Sequence, residues 1–270
     1  MKPEIPGETQ EIDTQCKQTR ARVAADLELP NTEQMQQSGP FKSDEHFFES
    51  SFKNFKELLY YTSLAPTHRV LDYGCGVGRL AIPLSAYLDG DKGSYCGVDT
   101  NAGCISRNAK AFSRYQNFKF EHTNIYSKRY NRQGGRMKEL RKLDLGDQFD
   151  LAVLFSVFTH VLPNDCDYLL KFLKSRLLTS GEVFCSWFLI NDETQKAIDA
   201  GQSGRNFEHH HGAARIENPE VPEAAVAYNE QDVLDRFKKA GFSDVRVHYG
   251  LWRGCVKSWL YQDVIVARAS

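Results

Sequence analysis

The sequence predicts an α/β fold in which helices flank a doubly wound, mostly parallel sheet of seven strands. Three observations support this fold class. Short apolar segments alternate with amphipathic segments from residue 67 onward, a glycine-rich turn follows the first apolar segment, and hydrophobic residues make up 41% of the chain. Such alternation is typical of parallel sheets with helical crossovers. The 270 residues suffice for one large domain with additions, or for two small domains.

The N-terminal region differs in composition from the rest of the chain. Residues 1–42 are polar and contain four scattered prolines, so we expect an arm that is partly helical around residues 11–28. The next segment has aromatic side chains at helical spacing behind a capping Ser43 or Asp44. We therefore expect the main domain to span residues 43–270.

Strands and helices alternate along this main domain. Strands are expected at residues 68–74, 94–100, 118–124, 149–158, 182–190, 243–250 and 260–269. Helices are expected at residues 78–88, 101–115, 164–178 and 230–240. Asn229 can cap the last helix and Gly241 can end it, while Gly181 marks the end of the helix before it. The nearly continuous apolar run at 149–158 indicates a strand that is buried on both faces.

Two insertions interrupt the alternation, at residues 126–148 and 191–228. The first holds seven basic residues, Lys128, Arg129, Arg132, Arg136, Lys138, Arg141 and Lys142, against three acidic ones, Glu139, Asp144 and Asp147. The second shows no clear periodicity and contains His209–His211. Loops this long often cover a functional site, so we expect both insertions, and the second as a lid, to shape the substrate site.

Charge and cysteine usage limit the classes of function. The net charge is −1 and the isoelectric point is about 6.7, whereas a dedicated nucleic-acid binder is usually far more basic. No apolar run approaches the ~18 residues of a membrane span, and the polar N-terminus is no signal peptide. The seven cysteines form no CxxC pair, which indicates free thiols and a cytoplasmic protein.

The segment "VLDYGCGVGRL" contains the glycine-rich turn. Gly74, Gly76 and Gly78 lie between a strand and a helix, where glycine lets the backbone approach a ligand closely. The dinucleotide fingerprint GxGxxG needs its third glycine at the position of Arg79. Asp72 precedes the turn, and its carboxylate would repel a pyrophosphate but suit a ligand with an ammonium group.

A second carboxylate follows the second strand. Asp99 lies 21 residues after Gly78, and at a strand tip it can accept hydrogen bonds from both ribose hydroxyls. The alternative is that Asp99 caps the following helix, although Thr100 could be the cap instead. An ammonium group and a ribose with no phosphate between them describe S-adenosylmethionine.

The segments "VLDYGCGVGR" and "CGVDTN" resemble the first two motifs of the class I S-adenosylmethionine-dependent methyltransferases. The resemblance extends over residues 67–268. It implies a Rossmann-like fold whose last strand, "YQDVIVARA", is antiparallel, with S-adenosylmethionine as cofactor and S-adenosylhomocysteine as product. "LLTSGEVFCSW" departs from the family pattern, since Thr179-Ser180 replaces the usual Pro-Gly before the fifth strand.

The resemblance also implies site residues. "HTNIY" would place Asn124 and Ile125 at the adenine, and "FDLAVLFSVFTHV" would place Phe155 and Ser156 beside the methionine moiety. Together with the turn and the second strand, the implied cofactor contacts are Asp72, Gly74, Gly76, Gly78, Asp99, Thr100, Asn124, Ile125, Phe155 and Ser156.

The acceptor is expected to be a small molecule methylated at oxygen, such as a sugar, a glycan or a natural product. A hydroxyl nucleophile must lose its proton, and His160 or one of the histidines of the lid, His210 or His211, could act as the base. The (D/N)PPY signature of amine methylators is absent. We expect no metal, since no Asp ends the fourth strand and Asn191-Asp192 is only half of such a site.

Other functions remain open at the sequence level. The basic insertion would fit an RNA or protein methyltransferase, although the whole-chain charge argues against nucleic acid as a partner. The chain could also bind the cofactor without catalysis, and a nicotinamide oxidoreductase is the last alternative. The arm could close over the cofactor site or join two copies of the chain in a homodimer.

Overall fold

The computed structural model describes residues 6–127, 131–146 and 148–270. Lys128, Arg129 and Asp147 of the basic insertion lie outside the described residues. The strands are β1 (Arg69–Tyr73), β2 (Ser94–Asp99), β3 (Phe118–His122), β4 (Phe149–Leu154), β5 (Leu177–Trp187), β6 (Leu189–Ile190), β7 (His209–His211), β8 (Ala214–Ile216), β9 (Val226–Asn229), β10 (Phe242–His248) and β11 (Asp263–Ala269). The helices are α1 (Pro6–Arg22), α2 (Thr32–Gln37), α3 (Asp44–Tyr61), α4 (Ala81–Tyr87), α5 (Ala102–Ala111), α6 (Pro163–Arg176), α7 (Asp192–Asp199) and α8 (Glu230–Ala240).

Seven strands form one sheet in the order β10, β11, β5, β4, β1, β2, β3. β1 and β2 pair in parallel, as do β2 and β3. β11 pairs antiparallel with both β5 and β10. The predicted doubly wound sheet with an antiparallel last strand is confirmed. The strand order reverses at β1, and ligands of such sheets bind beyond the carboxyl ends of the strands at the reversal.

The chain divides into two compact units, Met1–Gly134 with Phe149–Leu151, and Gly135–Gln148 with Ala152–Ser270. In the first unit, α1 packs against α3 and α4, and α5 packs against β2 and β3. Helix α3 starts as predicted, because the Ser43 side chain accepts a hydrogen bond from the backbone N–H of His46. Its buried aromatic side chains, including Phe52 and Phe55, provide the apolar face that the spacing indicates.

The second unit contains α6, α7 and α8 and a smaller sheet in the order β6, β9, β8, β7. Trp187 at the end of β5 stacks on Phe158, with ring centroids 4.0 Å apart and planes 12° apart. Trp252 is fully buried against Phe188 and Phe207, and its indole N–H donates to Asp263 Oδ2 at 2.7 Å. Both tryptophans are therefore packing residues of this unit.

Several expected bounds were wrong. The arm is helical over Pro6–Arg22 and Thr32–Gln37 instead of around 11–28. Helix α6 stops at Arg176, because β5 begins at the next residue, and Gly181 lies inside that strand. The segment 191–228, expected to lack regular structure, contains α7 and three short strands.

The seven cysteines all lie among the described residues and form no disulfide; Cys255 is exposed, Cys16 is half-buried and the others are buried. Within the part of the chain that the structure describes, no helix is both long and apolar enough to cross a membrane.

Candidate active site

The glycine-rich turn at the end of β1 has a backbone that favours glycine at three positions. The φ angles of Gly74, Gly76 and Gly78 are 83°, 51° and 79°, in the left-handed region where a Cβ is costly. The turn is fixed on the neighbouring strand, because the N–H groups of Gly74 and Cys75 both donate to the carbonyl of Val98, at 2.7 and 3.1 Å. The glycines are therefore required by the conformation of the turn, and their contact with a cofactor remains a prediction.

Asn108 of α5 supports this turn from behind. Its side chain is fully buried, and its amide group donates to the carbonyl of Gly76 at 2.8 Å. A Cβ added at Gly78 would lie 2.9 Å from Asn108 Oδ1 and 3.1 Å from the ring of Phe112. Asn108 was missed in the sequence, where the only signal is a polar residue on the otherwise apolar face of α5.

The carboxylate of Asp99 at the tip of β2 is held by the backbone. It accepts hydrogen bonds from Gly76 N and Asn101 N, both at 2.8 Å. Burial raises the pKa of Asp99, and the hydrogen bonds from backbone N–H groups oppose this increase. The cap of α5 is Asn101, whose side chain accepts from Gly103 N and Cys104 N. The alternative that Asp99 or Thr100 caps this helix is thus wrong.

Asp72 is buried inside the first unit, close to the turn. The hydroxyl of Tyr95 on β2 donates to Asp72 Oδ2 at 2.7 Å. Burial raises the pKa of Asp72 to about 7, although the Tyr95 hydroxyl and the positive charge of Arg79 both act to lower it. Tyr95 was not recognised in the sequence, because it lies 23 residues from its partner. A carboxyl with this pKa becomes more acidic when a cation binds next to it.

The predicted adenine residues lie just beyond β3. Asn124 is exposed, and its side-chain oxygen accepts a hydrogen bond from the amide group of Asn131 at 3.0 Å. Ile125 is buried, and its backbone passes so close to Gly134 that a Cβ there would lie 2.3 Å from the carbonyl carbon of Ile125. The role of both residues at an adenine ring remains a prediction.

In the second unit, Phe155 and Ser156 follow directly after β4. The ring of Phe155 packs on Phe184, with centroids 5.0 Å apart. Ser156 has a φ of 58°, which is uncommon for a residue with a side chain and costs free energy unless the surroundings enforce it. Two hydrogen bonds hold Ser156 in this conformation. Ser156 N donates to Ser186 Oγ at 2.7 Å, and Ser156 Oγ donates to Gln262 Oε1 at 2.9 Å.

The three predicted catalytic histidines occupy different environments in this unit. His160 ends a short 3₁₀ turn and is half-buried, and its Nδ1 lies 2.8 Å from the carbonyl oxygen of Glu223. His210 is exposed and His211 is partly exposed on β7, which pairs with β8 through a hairpin at Gly212. His210 and His211 thus lie on a strand, whereas a run of this kind was expected in a loop.

Asn191, which the sequence analysis considered as half of a metal site, instead caps a helix. The Asn191 side chain caps α7 by accepting from Thr194 N at 3.0 Å, and its amide group donates to Glu230 at 3.0 Å. Among the residues that the structure describes, no group of three His, Cys, Asp or Glu side chains is arranged to hold a metal ion.

The residues of the first unit fit the cofactor expected from the sequence. The turn presents backbone without side chains at Gly74, Gly76 and Gly78. The Asp99 carboxylate accepts backbone hydrogen bonds from Asn101, Gly76 and Thr100, and a carboxylate offers about four acceptor positions, so a ribose hydroxyl can still bind there. Asp72 is a second acid close to the same turn.

Comparison with known proteins gives the same class. A family model described as a methyltransferase domain matches residues 13–247. A solved structure from Pyrococcus horikoshii aligns with a TM-score of 0.55 and 17% identity over 85% of this chain and 93% of that chain. A putative O-methyltransferase from Nostoc punctiforme aligns with a TM-score of 0.52 and 18% identity over 97% of this chain and 71% of that chain.

A third similar structure is the magnesium protoporphyrin IX methyltransferase of Synechocystis with bound S-adenosylhomocysteine. Its TM-score is 0.52, with 16% identity over 87% of this chain and 92% of that chain. At sequence identities of 16–18%, the three similar structures show the fold alone. The assignment to the methyltransferase class rests on the family model.

Proposed function

The chain belongs to the methyltransferase-domain family, and we propose that it transfers a methyl group from S-adenosylmethionine to a hydroxyl of a small molecule such as a sugar, a glycan or a natural product. The predicted class, an S-adenosylmethionine-dependent methyltransferase, is confirmed by the family match and the fold. The hydroxyl acceptor is our proposal, and the environment of His160 is the observation that carries it.

The first unit would hold the cofactor with three groups. Asp99 would accept the ribose hydroxyls, Asp72 would attract the ammonium group, and the backbone of the glycine-rich turn would lie against the ligand. Bound S-adenosylmethionine supplies a methyl group on a positively charged sulfur. The remaining task of the protein is to bring an acceptor atom into line with that methyl group at about 3–3.5 Å and to remove its proton.

We propose that His160 accepts that proton. A carbonyl oxygen can only accept a hydrogen bond, so the contact with Glu223 puts the imidazole hydrogen on Nδ1. In neutral imidazole the lone pair is then on Nε2, and a base whose other nitrogen is fixed by an acceptor is the arrangement that general-base catalysis needs. An amine acceptor would need no such base, and therefore His160 favours a hydroxyl acceptor.

The acceptor class can be tested with matched pairs of substrates. We would incubate the protein with S-adenosylmethionine and either a methyl glycoside or the corresponding amino sugar, and either a phenol or the corresponding aniline. The release of S-adenosylhomocysteine is the readout. We expect turnover with the hydroxyl member of a pair, and faster turnover with the amine members would contradict an oxygen acceptor.

The role of His160 is tested by His160→Gln, which keeps a polar side chain of similar size but cannot take up a proton. We expect kcat to fall about 100-fold or more, the usual range for loss of a general base, while the affinity for S-adenosylhomocysteine stays within twofold. The matched control is the double variant His210→Gln/His211→Gln on the exposed hairpin. If the control loses the activity and His160→Gln keeps it, the base lies on the hairpin.

The expected partners remain proposals at this stage. We propose a small-molecule substrate and no nucleic acid, and a shift of tRNA or rRNA in a gel at physiological salt would revive an RNA substrate bound by the basic segment 131–142. A homodimer and a cytoplasmic location likewise remain predictions from the sequence.

A further inference from the structure

The N-terminal arm of the first unit lies across the glycine-rich turn. We call residues 24–41 the strap. Ser38, which ends α2, places its hydroxyl oxygen 3.4 Å from the backbone nitrogen of Val77. A Cβ added at Gly76 would lie 2.8 Å from the same oxygen. The Ser38 hydroxyl therefore lies next to Gly76, on the side where any other residue would carry its Cβ.

Arg107 of α5 joins the strap to the turn from the other side. One nitrogen of its guanidinium donates to the carbonyl of Val77 at 3.1 Å, and another donates to the carbonyl of Glu28 in the strap. A third contact is the ring of Phe41, which lies 5.3 Å from the guanidinium of Arg79, next to Gly78. Arg79 also donates to Ser50 of α3 at 3.0 Å. The strap is thus fixed at three places around one turn.

The hydrogen bond from Val77 N to Ser38 is weak. At 3.4 Å it exceeds the usual 2.7–3.2 Å of an N–H···O hydrogen bond. The Ser38 oxygen thus accepts only a long hydrogen bond from the Val77 N–H, and the Ser38 O–H is a second donor at the same point of the turn. A carboxylate accepts from two such donors at once, and hydrogen bonds to an ionised acceptor are shorter and stronger than neutral ones.

We propose that Ser38 is a further cofactor-binding residue, whose hydroxyl and the Val77 N–H bind the carboxylate at the amino-acid end of S-adenosylmethionine. The strap is then a part of the cofactor site. This inference rests on the proposed use of S-adenosylmethionine, and it adds a residue that lies 34 positions before the first residue of the predicted cofactor set, Asp72.

Two ligands separate a contact with the carboxylate from a general effect on the site. S-adenosylhomocysteine carries the amino-acid end, whereas 5′-methylthioadenosine has the same nucleoside and sulfur but no carboxylate. Affinities for both would be measured by titration calorimetry with the full chain. For Ser38→Ala we expect about tenfold weaker binding of S-adenosylhomocysteine, since hydrogen bonds to charged groups are the strong ones, and less than a twofold change for 5′-methylthioadenosine.

Two further variants control this experiment. Ser38→Thr keeps a hydroxyl and should recover most of the affinity for S-adenosylhomocysteine. Asp99→Asn should weaken both ligands, because both contain the ribose. Equal loss of both ligands in Ser38→Ala, or no loss of either, would overturn the role of Ser38. If the unaltered protein binds neither ligand, the proposed cofactor itself is wrong, and this outcome is distinct from the other two.

Discussion

At the scale of single residues, the carboxylate of Asp99 is fixed before any ligand binds. The N–H groups of Gly76 and Asn101 hold one oxygen each. A group that is already in place loses little freedom when a ligand arrives, so more of its hydrogen-bond energy remains for affinity.

We therefore expect Asp99→Ala to weaken S-adenosylhomocysteine binding about tenfold or more, because hydrogen bonds to a charged group contribute about 1.5–3 kcal/mol. Titration calorimetry measures this change. Asp91→Ala, in an exposed turn after α4, is the control and should bind as the unaltered protein does. Equal affinity of Asp99→Ala and Asp91→Ala would contradict the ribose assignment.

The sequence predicted some residues of this site and missed others for a physical reason. The glycines, Asp72 and Asp99 follow from local requirements, since a tight turn and a strand tip are each defined within a few positions. Asn108 and Ser38 act through contacts with the turn from 32 and 39 positions away. Their residue types are compatible with many exposed or buried positions, and only the folded chain brings them to the turn.

At the scale of elements, helix limits were predicted where the signal is local. Helix α8 begins at Asn229, whose side chain accepts from Asp232 N, and ends at Gly241, which has a φ of 90°. The end of α6 was wrong because β5 begins immediately after it, and a strand that joins a sheet is stabilised by distant partners. The strands of the segment 191–228 have only three or four residues, too few to show an alternating pattern.

The two ends of α8 give a prediction about stability. Asn229→Ala removes the cap and should lower the free energy of unfolding by about 1 kcal/mol. Gly241→Ala places a Cβ at a left-handed position and should cost about 1 kcal/mol as well. The ends of an 11-residue helix are about 16 Å apart, so the double variant should show the sum of both losses.

Denaturation by urea measures these three values. Lys239→Ala, in the last turn of the same helix, is a control that leaves both caps intact. A double variant that is no less stable than Asn229→Ala alone would show that Gly241 does not limit the helix.

At the scale of the whole molecule, three buried carboxyl groups make stability depend on pH. Burial raises the pKa of Glu57 to about 7, of Asp72 to about 7 and of Asp263 to about 6. Each group binds its proton more tightly in the folded than in the unfolded chain. Their contribution to the free energy of unfolding is therefore fully present below the pKa of the unfolded chain, near 4. It is lost as the pH rises through the pKa of the folded chain.

Asp72→Asn tests this contribution for one group. Between about pH 4 and 7 the folded state retains a proton on Asp72 that the unfolded state has released, which lowers stability by up to about 1.4 kcal/mol per pH unit. The unfolding free energy of Asp72→Asn should fall less steeply over pH 5 to 7 than that of the unaltered protein. Urea denaturation at pH 5, 6 and 7 gives both slopes, and parallel slopes would contradict the raised pKa.

The distribution of the seven thiols has a practical consequence for experiments on this protein. Cys255, in the segment between β10 and β11, is the exposed one. Burial raises the pKa of Cys104 to about 11 and of Cys166 to about 12, and that of Cys75 rises well above its usual value, so these side chains are poor nucleophiles at neutral pH. A maleimide dye should attach at Cys255 first, giving a fluorescent reporter without any engineered cysteine.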